Sequence, residues 1–141
     1  MLGGVRSGPA RDRWIDVIDE TFIDAPPHRL AALFRDPRNV ANAWPHVQAM
    51  VTRDRGVQGA VWSVSGAMTG EFEVWIEPYW DGAIVHHYVR ASTAQRPDPL
   101  ERAHVRRWKR FVTAVKDTLE PPRRSWSFEG GQSERPLIEP E

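Results

Sequence analysis

The stretch EFEVWIEPYWDGAIVHHYVRA, Glu71–Ala91, decides the fold. Two runs of alternating character flank Asp81-Gly82, a dipeptide favoured in two-residue hairpin turns. Successive strand residues point to opposite faces, so a turn at Asp81-Gly82 pairs Trp80 with Ala83 and fixes both faces at once. One face then carries Phe72, Val74 and Ile76 beside Val85, His87 and Val89. The other sets Glu73 opposite Arg90, Trp75 opposite Tyr88 and Glu77 opposite His86, pairs suited to a wet face. A slip of one residue would exchange the two faces. The apolar face has to be covered by another element.

The cover lies downstream. Asp98-Pro99-Leu100-Glu101 has the pattern of a capping box with Pro just inside it, and Pro121-Pro122 supplies a stop. At about 100° per residue, Leu100, His104, Val105, Trp108, Phe111, Val112, Val115 and Leu119 share an arc of ~140°. Arg102, Arg106, Arg107, Lys109, Arg110, Lys116 and Asp117 fall outside it. One long amphipathic helix over 98–120 is therefore expected against the sheet.

Working outward, strands are expected at 13–23, 47–53, 60–66, 71–79 and 83–91, punctuated by glycines and by polar loops such as 92–97. After the first strand, Asp24 or Ala25 can cap a short helix that opens on Pro26-Pro27 and carries Leu30, Leu33 and Phe34. Asp36-Pro37 ends that helix and starts a second one to about Ala43, closed by Trp44-Pro45. Residues 1–12 read as a loose leader. Residues 121–141, with a Trp126-Ser127-Phe128 island, read as a polar and disordered tail. The expected class is α+β: one domain over 13–120, an antiparallel sheet of about five strands on one long helix.

Composition narrows the function classes. The chain has 141 residues, enough for a single core. It has no cysteine, which excludes disulfides, zinc ribbons and thiol nucleophiles and agrees with a cytoplasmic location. Nineteen basic and nineteen acidic residues cancel, so no global charge favours nucleic acid or an anionic membrane. No apolar run has the length of a signal peptide or a membrane span. Seven tryptophans suit a core, a pocket or an interface alike.

Ile23-Asp24-Ala25-Pro26-Pro27-His28-Arg29-Leu30, then Phe34-Arg35-Asp36-Pro37, then Trp44-Pro45, resemble the opening of the START and birch-pollen-allergen superfamily. The run Trp108–Glu120 is similar to the end of its actinobacterial branch of polyketide cyclase/dehydrase and lipid-transport proteins. The resemblance covers about residues 13–120. It implies a helix-grip fold, a curved antiparallel sheet wrapped on the C-terminal helix, and a cavity between them for lipid-like or polyketide-like molecules. The family commonly has about seven strands; here one hairpin is missing between Ala91 and Asp98, which implies a smaller pocket.

The candidate ligand-contacting residues follow from the inward faces. The sheet offers Trp62, Val64, Phe72, Val74, Ile76, Val85, His87 and Val89. The short helices and their exit offer Phe34 and Trp44, and the long helix offers His104 and Trp108. These side chains can line a pocket or fill the space as core. His87 and His104 each interrupt an apolar pattern, so each needs a hydrogen-bond partner, in the core or on a ligand. They are also the candidate acid and base for a cyclase- or dehydratase-type reaction, with no Asp or Glu expected on the inner face to orient them. His86 and His87 point to opposite faces and cannot chelate together; no metal or cofactor is expected. A third reading makes the basic helix face at Arg102, Arg106, Arg107, Lys109 and Arg110 a protein-interaction surface. The expected partner is an apolar small molecule, with no nucleic acid and no membrane insertion; the oligomeric state is not legible.

Overall fold

The computed structural model describes residues 13–122. Its elements run β1 (Trp14–Ile23), α1 (Pro27–Arg35), α2 (Pro37–Ala43), β2 (Val47–Asp54), a single 3-10 turn (Gly56–Gln58), β3 (Gly59–Gly66), β4 (Thr69–Tyr79), β5 (Gly82–Ser92) and α3 (Pro97–Leu119). The five strands form one antiparallel sheet in the order β1-β5-β4-β3-β2. The expected leader and most of the expected tail lie outside the described residues.

The central hairpin keeps the expected faces but not the expected partners. Its turn residues are Trp80-Asp81, with Tyr79 paired to Gly82. Glu73 faces Tyr88, Trp75 faces His86 and Glu77 faces Ile84, a two-residue displacement from the register read off Asp81-Gly82. Gly82 is engaged elsewhere: a Cβ on it would lie 2.2 Å from the Ile23 carbonyl oxygen, so its bare backbone admits the end of β1. The left-handed conformation falls on Trp80, at φ 54°. Because the displacement is even, parity survives. Phe72, Val74, Ile76, Val85, His87 and Val89 are all buried on one face.

The helices begin where proline allows rather than where a side chain caps. α1 is preceded by Pro26 and α3 by Arg96, neither giving a side-chain cap. Asp24, Ala25 and Asp98 are thus not the caps the sequence suggested. Asp98 lies inside the first turn of α3, where its charge still suits the helix dipole. Asp36 does cap α2, accepting from the Arg38 amide at 2.9 Å.

α3 buries His104, Trp108, Val112 and Val115, flanked by half-buried Leu100, Val105, Phe111 and Leu119. Its end is tied to β1: Lys116 Nζ donates to the Phe22 carbonyl (2.8 Å), and Glu120 Oε2 accepts from the Asp24 amide (3.0 Å). The loop leading into it is tied as well. Arg13 Nη1 donates to the Ala94 and Gln95 carbonyls, and Thr93 Oγ1 donates to the Ala67 carbonyl. Among the described residues no helix is long and apolar enough to cross a membrane.

Candidate functional site

Every side chain singled out on the inner face is buried there. Phe34 comes from α1, Trp44 from the end of α2, Trp62 and Val64 from β3, and Phe72, Val74 and Ile76 from β4. Val85, His87 and Val89 come from β5, and His104 and Trp108 from α3. Trp44 is the hub. Its ring meets Phe72 at 5.0 Å and Trp62 at 5.1 Å edge to face, and stacks with His87 at 5.3 Å and Trp108 at 6.1 Å. His87 and Trp108 are 4.2 Å apart between ring centres. At this level the space between sheet and helix is taken up by rings.

A line of three imidazoles runs through those rings. His87 Nδ1 lies 2.9 Å from the Glu73 carbonyl oxygen, His87 Nε2 lies 2.9 Å from His104 Nε2, and His104 Nδ1 lies 2.9 Å from His46 Nε2. The carbonyl can only accept, so His87 carries its proton on Nδ1. A neutral His87 then accepts at Nε2, His104 donates from Nε2 and accepts at Nδ1, and His46 donates from Nε2. One backbone oxygen thus sets all three tautomers and leaves His46 Nδ1 as a bare acceptor. Burial pushes His87 and His46 down to about 4; burial, with the neighbouring histidines, pushes His104 down to about 2. All three are neutral at pH 7.

Sequence reading missed two members of this constellation. Asp19 sits on the inner face of β1, opposite His87, and overturns the expectation that no carboxylate faces inward. Its Oδ2 accepts from the Trp108 indole N–H at 3.0 Å and from Thr21 Oγ1 at 3.1 Å, while Lys109 pairs with Oδ1. Its charge favours protonation of His87, opposing the larger effect of burial. The signal was available: Ile15, Val17 and Ile23 share its odd parity. His46 lies in the turn after α2, where no periodicity marks a face.

The outer face is not uniformly wet. His86 is only 5% exposed. It stacks on Trp75 at 4.2 Å, with Nε2 2.9 Å from Glu77 Oε1 and Nδ1 3.3 Å from Glu20 Oε2. Glu73, expected to face Arg90, pairs with Arg55 instead. Among the described residues no cluster of His, Cys, Asp or Glu has the arrangement to hold a metal ion. On the basic helix face Arg102, Arg106, Lys109 and Arg110 are exposed.

A groove of about 290 Å³ opens beside the aromatic core. Ala31, Phe34 and Arg35 of α1 form one wall; Val51 and Asp54 of β2, Gly56, and Gly59 and Ala60 of β3 form the other. Arg35 and Asp54 face each other across it at 3.8 Å, both largely in water. Phe34 is the only expected lining residue that borders this groove. Its ring continues inward to Phe111 at 5.8 Å, Trp108 at 5.9 Å and Trp62 at 6.5 Å.

An open antiparallel sheet gripping a long C-terminal helix, with two short helices after the first strand, defines the helix-grip class of α+β proteins. Solved structures share it. The Aha1 dimer from Colwellia psychrerythraea is similar at a TM-score of 0.59 and 14% identity, covering 75% of this chain and 96% of that one. An AHSA1-like protein from Rhizobium etli is similar at 0.55 and 14%, covering 91% and 94%. The protein Ara h 8.0201 is similar at 0.51 and 12%, covering 74% and 96%. No family model and no curated protein sequence matches the chain.

Proposed function

We propose that the chain binds a small, largely apolar molecule, held first in the groove on α1 against Phe34. The groove carries this reading: its volume of about 290 Å³ falls just short of the roughly 300–1,000 Å³ usual for ligand sites, which suits a small guest. Ala31, Phe34, Val51 and Ala60 offer apolar walls, and Arg35 and Asp54 offer polar ends. Trp62 and Trp108, behind Phe34, extend the apolar surface toward Trp44, His87 and His104. Titration with an apolar fluorescent dye tests it. Val51→Trp, at an exposed position, should weaken dye binding about tenfold, roughly 1.4 kcal/mol, and quench less tryptophan emission. Unchanged dye affinity in that variant rejects the groove.

A second reading is acid–base catalysis of the cyclase or dehydratase kind. The histidine line supports it, since it joins three potential proton carriers from the core to His46. Burial holds all three neutral, which makes them better acceptors of a hydrogen bond than bases. This reading expects turnover that His87→Ala abolishes in a folded protein.

A further inference from the structure

Charge is spread unevenly over a chain whose total is zero. From Glu71 to Val85, along β4 and around the turn that follows it, there are four carboxylates and no Lys or Arg. From Arg102 to Arg110, along α3, there are five cations and no carboxylate. Arg102, Arg106 and Arg110 recur one helical turn apart and form a row, its members about 6 Å from one to the next. All three are exposed, on the side of α3 turned away from buried His104 and Trp108.

The acidic run ends in a tip of exposed rings. At the turn between β4 and β5, Trp80 is 86% exposed and Tyr79 48%. Tyr79 meets Phe22 of β1, itself 40% exposed, edge to face at 6.2 Å. Glu73 is matched by Arg55 and Glu77 by His86, while Asp81, next to Trp80, stands in water. Trp80 also takes a left-handed backbone, φ 54°, where glycine is the ordinary residue. An outlier held by a residue that buries almost nothing of itself points to function rather than to packing.

An aromatic face beside a carboxylate attracts a guanidinium group, which stacks on the ring while its edge bonds the carboxylate. The chain itself carries a matching row of them. One copy cannot bring that row to its own tip. α3 covers the inner face of the sheet, tied down through Lys116 and Glu120, whereas Phe22 and Tyr79 stand on the outer face.

We propose that the tip of one copy, Trp80 with Tyr79 and Asp81, docks on the Arg102, Arg106 and Arg110 row of a second copy. The contact is head to tail. Each pair keeps one free row and one free tip, so association runs on into chains or closes as a ring. It uses none of the groove's residues and does not depend on ligand binding.

Sedimentation velocity of the full chain tests this, at up to about 0.5 mM because the interface is small. The average mass should grow with concentration. Raising salt from about 0.05 to 0.5 M should weaken association several-fold. Trp80→Gly removes the ring and relieves the backbone, so its loss of association cannot be put down to misfolding. Arg106→Glu with Arg110→Glu removes the row; if α3 does not fold with those glutamates, alanine at both positions, a strong helix former, takes their place. Each variant alone should stay monomeric. Their equimolar mixture should form a complex of two chains and nothing larger, because one intact tip and one intact row remain between them. An unmodified chain that stays monomeric throughout, as it would if the row served a nucleic acid instead, overturns the proposal. So does association that ignores salt or survives in either variant, and so does a mixture that stays monomeric or grows past two chains.

Discussion

His104 has one ring nitrogen for each of two neighbouring imidazoles, and both contacts are 2.9 Å. Replacing it by leucine keeps the bulk and removes both bonds, leaving His87 Nε2 and His46 Nε2 without partners. His104→Leu should therefore cost about 2–4 kcal/mol, seen as a lower denaturant midpoint at unchanged slope. Adding His87→Leu should cost less than the two single losses together, because removing both members of a bond spares the orphan. Simple additivity would mean the two rings are not coupled. At this scale the sequence was legible where a polar residue interrupted a periodic pattern, as at His87 and His104. Asp19 shares the odd parity of Ile15, Val17 and Ile23, but no tight turn beside β1 fixes which of its faces is inward. His46 follows Pro45 in a turn, and no repeat there marks which side chains point inward.

At the scale of elements, the β4–β5 hairpin holds a tryptophan where glycine would normally sit. Trp80 is 86% exposed and has φ 54°. The left-handed conformation costs a residue with a Cβ about 1–2 kcal/mol, and glycine's greater freedom in the unfolded chain offsets part of that. Trp80→Gly should thus stabilise the protein by about 0.5–1 kcal/mol, and a thermal melt checks it. The opposite holds where β3 begins. Gly59 has φ 106°, and a Cβ there would stand 2.0 Å from the Val74 carbonyl oxygen. Gly59→Ala should cost about 2 kcal/mol or more and loosen the β3–β4 pairing, visible as faster amide exchange in Val74 and Trp75. Alternation within each strand was readable because it depends only on parity. Partner choice across the turn was not, because Asp81-Gly82 looks like a turn locally while Gly82 is needed flat against β1, a contact between residues some sixty positions apart.

For the whole molecule, three neutral buried histidines make stability depend on pH. Their folded values, about 4, 2 and 4 for His46, His104 and His87, lie below the usual 6.5. Between pH 6.5 and 4 the unfolded chain binds more protons than the folded one, so stability rises with pH. It is fully present above about 6.5 and drains away as pH falls toward 4. At about 1.4 kcal/mol per unit, His87 alone accounts for about 3 kcal/mol across that window, a large share of a stability of roughly 5–15 kcal/mol. The melting temperature should fall steeply from pH 7 to 4.5, and a flat profile would refute the neutral assignment.

The ties at the two ends of α3 have a mechanical consequence. Lys116 and Glu120 anchor its last turn to the backbone of β1, while Arg13 and Thr93 anchor the loop that leads into it. A rod pinned at both ends cannot lift like a hatch, so any opening of the fold falls first to the short pieces α1 and α2. Hydrogen–deuterium exchange should find those two helices opening orders of magnitude more often than the middle of α3.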